Sequence, residues 1–237
     1  INATFELSGS NVSVSSNDVA IHPNWNGDVA DGYDLATVDL GTQLNPAVPR
    51  YDIYRGVEAE LGRQGVKIGY GRGGLGPTGA TLPAGTKRVG LNRWESTGLG
   101  ALGVGGIVNN ETQLVDDFDS GDPANDAFAV FFGFAADLGF GADEVGAAPG
   151  DSGGPTFIDV DGRYQIAGVT SYGLRLGGSG PVQSDVDGVL NSSWGEFGGD
   201  ARIAQPVIAA FIDEIVPPAL WLPGDANGDG FVTLADY

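Results

Sequence analysis

The stretch Pro149-Gly150-Asp151-Ser152-Gly153-Gly154-Pro155 constrains this chain more than any other. Its glycines allow backbone angles that other residues avoid and let the main chain approach a ligand closely. A serine hydroxyl held on such a turn can attack a carbonyl, and nearby N–H groups can hold the oxyanion that forms. The plain alternative is a glycine-rich surface loop. Glycine and proline punctuate the rest of the chain in the same way, with 41 Gly and 13 Pro among 237 residues. Long helical patterns are scarce. The pattern predicts an all-β fold of many short strands joined by turns, a sandwich or a barrel.

Charge narrows the partners. Thirty-one acidic residues against 11 basic ones give a net charge of −20. Phosphate binding needs a basic footprint, so nucleic acid is excluded as a partner. The absence of cysteine excludes a disulfide framework and thiolate metal sites. No run of 18 apolar residues is present, so no membrane-spanning helix is expected. The chain opens mid-pattern at Ile1-Asn2-Ala3-Thr4 and closes mid-motif at Ala235-Asp236-Tyr237. It reads as a piece of a longer reading frame with a secretion signal upstream, hence a secreted or cell-surface protein.

Residues 1–21 alternate weakly, with Phe5, Leu7, Val12, Val14, Val19 and Ile21 at strand period. A loop at His22-Pro23 leads to Tyr33–Leu40. Val66–Gly71 and Thr86–Asn92 read as strands, and Gly73–Gly79 between them as a flexible surface loop. That loop lacks the Lys-Ser/Thr continuation of a phosphate cradle. Asp116, Asp117, Asp119, Asp122 and Asp126 are read as a solvated acidic turn, with Ca²⁺ ligation as the alternative. Ala127–Phe134 reads as a buried strand. Thr156–Ile158 and Tyr164–Gly173 form a hairpin, and Phe197–Ile203 a last strand. Ile203, Val207, Ile208, Phe211, Ile212 and Ile215 then recur at helical spacing, with Pro206 suited to a first turn.

Val216–Pro223 is rich in proline and reads as a linker, placed at 217–223. In residues 224–237, Asp225, Asn227, Asp229 and Asp236 fall at positions 1, 3, 5 and 12 of a calcium loop. Gly230 supplies the sharp turn, and Phe231 would give its carbonyl at position 7. The Gly-Asp-x-Asn-x-Asp-Gly opening and Asp at position 12 resemble a dockerin type I repeat, of which one loop is present. That resemblance implies Ca²⁺ as cofactor and a cohesin-like partner.

Gly150-Asp151-Ser152-Gly153-Gly154-Pro155, His22-Pro23, Asp34-Leu35-Ala36 and Ser171-Tyr172-Gly173, in their order, resemble the trypsin-like (chymotrypsin-fold) serine proteases. The resemblance covers about residues 5–215 and assigns a protease domain to 1–216. It implies two six-stranded antiparallel β-barrels, the first incomplete, and a C-terminal helix. It further implies Ser152 as nucleophile and Asp34 as the carboxylate that orients the general base. The Gly150 and Ser152 N–H groups would form the oxyanion hole. Gly146, Ala147, Ala148, Ser171, Tyr172, Gly173 and Gly198 would line the pocket for the residue before the scissile bond. His22 is the single histidine. It matches the family's non-catalytic His-Pro position, a partly exposed loop residue, so the base is expected outside this chain. In the family Asp151 pairs with a released amino terminus; Ile1, followed by Asn-Ala-Thr, is not expected to play that part.

These readings predict a serine endopeptidase acting on protein or peptide substrates, cleaving after apolar residues, with the present chain inactive alone. Two alternatives stand beside it: a catalytically dead binding protein on the same fold, and a calcium-dependent surface or scaffold-associated protein.

Overall fold

In the computed structural model, residues 1–215 are described except 8, 9, 17, 43, 45–47, 57–59, 109, 110, 178, 179 and 181. The expected linker at 217–223 and calcium loop at 224–237 lie outside the described residues.

Strands dominate. Two hairpins come first: β1 (Asn2–Leu7) with β2 (Ser10–Ser15), and β3 (Asp18–Ile21) with β4 (Ala36–Asp39). A seven-stranded sheet follows, built from β5 (Asp52–Ile53), β6 (Gln64–Gly69), β9 (Arg88–Arg93), β10 (Gln113–Asp117), β11 (Pro155–Val160), β12 (Arg163–Leu174) and β13 (Phe197–Arg202). Its order is β10-β13-β12-β11-β6-β9, with β5 added parallel to β12. The sheet curls until its ends meet: Glu95 N donates to Val115 O at 2.9 Å and Val115 N to Ser96 O at 2.9 Å. The all-β expectation with a C-terminal helix holds.

The helix α2 (Pro206–Ile215) lays Ile208, Phe211 and Ile212 on Leu35, Ala201 and Ile203, closing the outer face of β12 and β13. Gln205 Oε1 accepts the Val207 N–H at 2.7 Å, which satisfies one of the orphan donors of the first turn.

Three expectations fail. Ala127–Phe132 is a helix, α1, not a strand. Asp126 caps it by accepting from Ala129 N at 2.7 Å, and Asp117 Oδ2 accepts from Ala127 N and Phe128 N. An apolar run of six residues carries no periodicity that separates helix from strand, so the caps decide. The stretch at 73–79 is no flexible loop. It folds into a hairpin of β7 (Gly73–Leu75) and β8 (Gly79–Leu82). Backbone bonds from Ala80 N to Asn191 O (2.8 Å) and from Trp194 N to Gly76 O (2.9 Å) tie it to segment 191–194. The acidic stretch is not solvated either. Asp116, Asp117, Asp119 and Asp126 are buried; of the five, only Asp122 is exposed.

Burial of Asp116 has a partner. Lys67 Nζ lies 2.6 Å from Asp116 Oδ2 and 3.3 Å from Asp200 Oδ2 inside the curled sheet. Asp200 Oδ2 also accepts from Trp94 Nε1 and Thr156 Oγ1, each at 2.9 Å. Burial alone would lower the Lys67 pKa; the two carboxylates outweigh it and hold the ammonium above its ordinary range. Arg202 Nε and Nη2 bind the Glu60 carboxylate bidentately at 2.9 and 3.0 Å, also fully buried.

Candidate active site

The turn that bears Ser152 is fixed from both sides. Gly153 N donates to Thr170 O at 2.8 Å, and Thr170 N donates to Gly154 O at 2.9 Å. The turn is thereby stitched to β12 one residue before Ser171. On the other side, Asp151 Oδ1 accepts the Gly71 N–H at 2.7 Å and Oδ2 the Ala148 N–H at 3.0 Å. A Cβ at Gly69 or Gly71 would overlap the Asp151 carboxylate, so both positions need glycine for this approach. Arg72 N donates to Pro149 O at 2.9 Å. Ile1 N donates to Ser16 O at 2.7 Å, so the chain's first amine lies away from Asp151.

Ser152 is exposed, and Gly150 has φ 98°, a backbone angle suited to glycine. Neither the Gly150 N–H, the Ser152 N–H nor Ser152 Oγ bonds to another described residue. Two free amides beside a free hydroxyl are what carbonyl attack at this turn would require.

Asp34 precedes Leu35, which is packed in the α2 cluster. Its Oδ2 accepts the Ser171 hydroxyl at 2.6 Å. Because Thr170 holds the Ser152 turn and Ser171 holds Asp34, consecutive residues of β12 carry both groups. His22 is not a partly exposed loop residue. It is 2% exposed, stacked on Tyr33 at 4.9 Å and edge-on to Phe211 at 4.9 Å. Its Nδ1 accepts from Asn24 N at 3.2 Å, and Nε2 is buried without a partner among the described residues. A ring so enclosed has no path to a substrate proton.

A cavity of about 590 Å³ lies beside the turn, reached by Ala148 and Asp151 but not by Ser152 itself. Gly146, Ala147 and Ala148 line it, together with Phe118, Trp194 and the β7–β8 hairpin. Phe118 packs directly against Gly146. Ser171, Tyr172, Gly173 and Gly198 are not among its walls. Tyr172 covers Gly199, and its hydroxyl lies 3.2 Å from Gln113 Oε1. Gly198 stands against the Asp116 carboxylate inside the sheet. The cavity is not free of charge: Lys67, Arg72, Arg88, Glu144 and Asp151 reach it. Burial pushes Glu144 up to about 8. The sequence analysis gave Lys67, Arg72, Arg88 and Glu144 no part in the site, and no motif marks them: they come together through the pairing of β6 with β9 and the approach of Glu144 to Leu91.

Among the described residues no helix is long and apolar enough to cross a membrane. Comparison with known proteins adds one partial similarity. No family model matches the chain. Over 45 residues, 19% of this chain, the sequence is 42% identical to Spermosin of Halocynthia roretzi. The matched stretch is 12% of that protein's length. Spermosin is a trypsin-like serine protease, and the curled all-β sheet described above is compatible with the chymotrypsin fold.

Proposed function

We propose that the chain carries the nucleophile and orienting carboxylate of a trypsin-like serine endopeptidase. The observation that carries the reading is the pairing of Ser171 with Asp34 next to the Thr170 bonds that hold the Ser152 turn. In this reading Ser152 Oγ attacks the peptide carbonyl carbon, and its proton passes to an imidazole oriented by Asp34. The Gly150 and Ser152 N–H groups hold the oxyanion. The C–N bond then breaks as the imidazole returns the proton to the leaving amine. Water, activated by the same imidazole, hydrolyses the acyl-serine. That imidazole belongs to a histidine outside residues 1–237, because His22 is enclosed. This chain by itself is then nearly inactive.

The test is hydrolysis of a peptide ester by full-length protein and by its Ser152→Ala variant, with fluorophosphonate labelling as a second readout. Loss of both signals in the variant is expected. Full-rate hydrolysis by residues 1–237 alone would mean that another group serves as base. The enclosed His22 also favours a second reading, a binding protein on the same fold. Full-length protein that binds peptide but neither hydrolyses the ester nor labels supports that one instead.

The tail is proposed to bind Ca²⁺ through Asp225, Asn227, Asp229, the Phe231 carbonyl and Asp236, and to engage a cohesin-like partner outside the cell. The ligand spacing supports it. Calorimetry on the intact tail that shows no heat with Ca²⁺ would refute it.

A further inference from the structure

One cluster of groups is used neither by the serine site nor by the tail. Glu95, two residues past β9, Asp117, the last residue of β10, and Asp119, two residues past it, each offer a carboxylate oxygen within 4.8 Å of the other two. Asp117 is 1% exposed and Asp119 5% exposed. Asp119 Oδ1 is fully enclosed and has no hydrogen-bond partner among the described residues, while the Asp117 carboxylate meets the Glu95 carboxyl. A buried carboxylate oxygen with nothing to accept from is costly, the more so beside two other carboxylates.

The surrounding groups are already committed. Asp117 Oδ2 takes the first N–H groups of α1. Asp126 accepts from Ala129 N and Asp137 N, and Glu144 from Phe140 N. Arg93 pairs with Asp137 and lies over the Phe140 ring. Acidic neighbours thus surround the three ligand groups, while the nearby guanidinium is paired elsewhere.

We propose that Glu95, Asp117 and Asp119 form a divalent-cation site that takes Ca²⁺. Oxygens up to 4.8 Å apart can share one ion at the 2.3–2.6 Å bond lengths of Ca²⁺, whereas Mg²⁺ needs them closer. Carboxylate second oxygens, backbone carbonyls and water complete the 6–8 ligands that Ca²⁺ takes. A groove of about 380 Å³, lined by Glu95, Trp94 and Asp137 among others, reaches the cluster at Glu95. The ion would clamp β9 to β10 and fix the start of the long segment from Phe118 to Gly146. Phe118, between Asp117 and Asp119, packs on Gly146, so the ion also steadies one wall of the main cavity.

The experiment must separate this site from the tail loop. A chain carrying Asp225→Ala, Asp229→Ala and Asp236→Ala is stripped with EDTA and titrated with CaCl₂ by calorimetry. Tb³⁺ luminescence excited through Trp94, adjacent to Glu95, is the second readout. One Ca²⁺ per chain is expected, with a rise in melting midpoint. Adding Asp119→Asn or Glu95→Gln should weaken binding about tenfold or more. Both changes remove repulsion, so in EDTA those variants should melt no lower than their parent, which guards against simple misfolding. No Ca²⁺ uptake by the tail-substituted chain overturns the proposal. So does uptake that both variants leave unchanged, or equal binding of Mg²⁺.

Discussion

Ser171 Oγ and Asp34 Oδ2 meet at 2.6 Å across 137 positions of sequence. A hydroxyl held by a mid-strand residue fixes the rotamer of a carboxylate that otherwise sits in an irregular segment. A fixed carboxylate can orient a partner imidazole, and a swinging one cannot.

From this pairing a graded series of losses is expected in full-length protein. Asp34→Asn should lower kcat by about 10⁴, the cost of a misoriented tautomer. Ser171→Ala removes one bond to a charged group, worth about 1.5–3 kcal/mol, and should lower kcat by roughly 10–100-fold. Steady-state kinetics with a peptide ester checks both. A Ser171→Ala loss as large as that of Asp34→Asn would mean that Ser171 does more than hold the carboxylate.

A stability prediction follows from Arg202 and Glu60, a bidentate pair with both side chains buried. Glu60→Ala leaves a buried guanidinium without its partner and should cost about 3–5 kcal/mol. Replacing both, Glu60→Leu with Arg202→Met, should recover most of that loss, because desolvation disappears with the charges. Urea unfolding of the three proteins measures it. A double variant as unstable as the single one would show that the pair contributes more than it costs to desolvate.

Much of the fold is legible in the sequence where period alone decides. Val66 and Ile68, the hairpin at 155–174 and the apolar face of α2 follow their spacing into the expected elements. Other parts depend on partners far along the chain. Lys67 is buried because Asp116 and Asp200 meet it, 49 and 133 positions away. Asp117 leaves solvent because it caps α1, which period cannot distinguish from a strand. The hairpin at 73–82 is set by backbone bonds to Asn191 and Trp194, which no local pattern announces. At the candidate site, the Ser152 turn is legible as a turn, and the role of Asp34 comes only with the family resemblance. The enclosure of His22 depends on Tyr33 and on Phe211 of α2.

The acidic cluster should make calcium-free protein less stable as pH rises. Glu144 is raised from 4.5 to about 8 by burial, and Glu95 and Asp119 move the same way. Folded protein therefore binds more protons than unfolded protein between these values, and stability falls with increasing pH. Its full value is present below 4.5 and is lost as pH passes about 8. In EDTA, the urea midpoint should be higher near pH 5 than near pH 8. A midpoint that climbs across this window would show that these carboxyls are not buried as described.

Substrate preference is the most exposed prediction, and the structure sharpens its grounds. The turn residues Gly146, Ala147 and Ala148 open on a cavity of about 590 Å³ with Phe118 and Trp194 in its walls. Its volume admits an aromatic side chain, whose burial gains about 25 cal/mol per Å². Three acids lie in the segment 174–196, and all are held elsewhere; Glu196 accepts from the Asn191 and Ser192 N–H groups at 2.7 and 2.9 Å. Asp185 is buried against Arg175 Nε at 2.7 Å and Ser193 Oγ at 3.0 Å. Asp187 accepts from Val189 N and Asn191 Nδ2, each at 2.8 Å. Lys67, Arg72 and Arg88 lie on the cavity instead. Of its two acids, Asp151 is taken by the Gly71 and Ala148 amides, and Glu144 is held toward its neutral form. An Arg or Lys side chain would lose its hydration there and meet like charge, at several kcal/mol. Cleavage after Phe, Tyr or Leu is therefore expected over cleavage after Arg or Lys. A peptide library assayed with full-length protein decides it. Preference for Arg or Lys would mean that an acid enters from a segment placed elsewhere in this structure. Preference for Asp or Glu would mean that Arg72 and Arg88, rather than the apolar walls, set the choice.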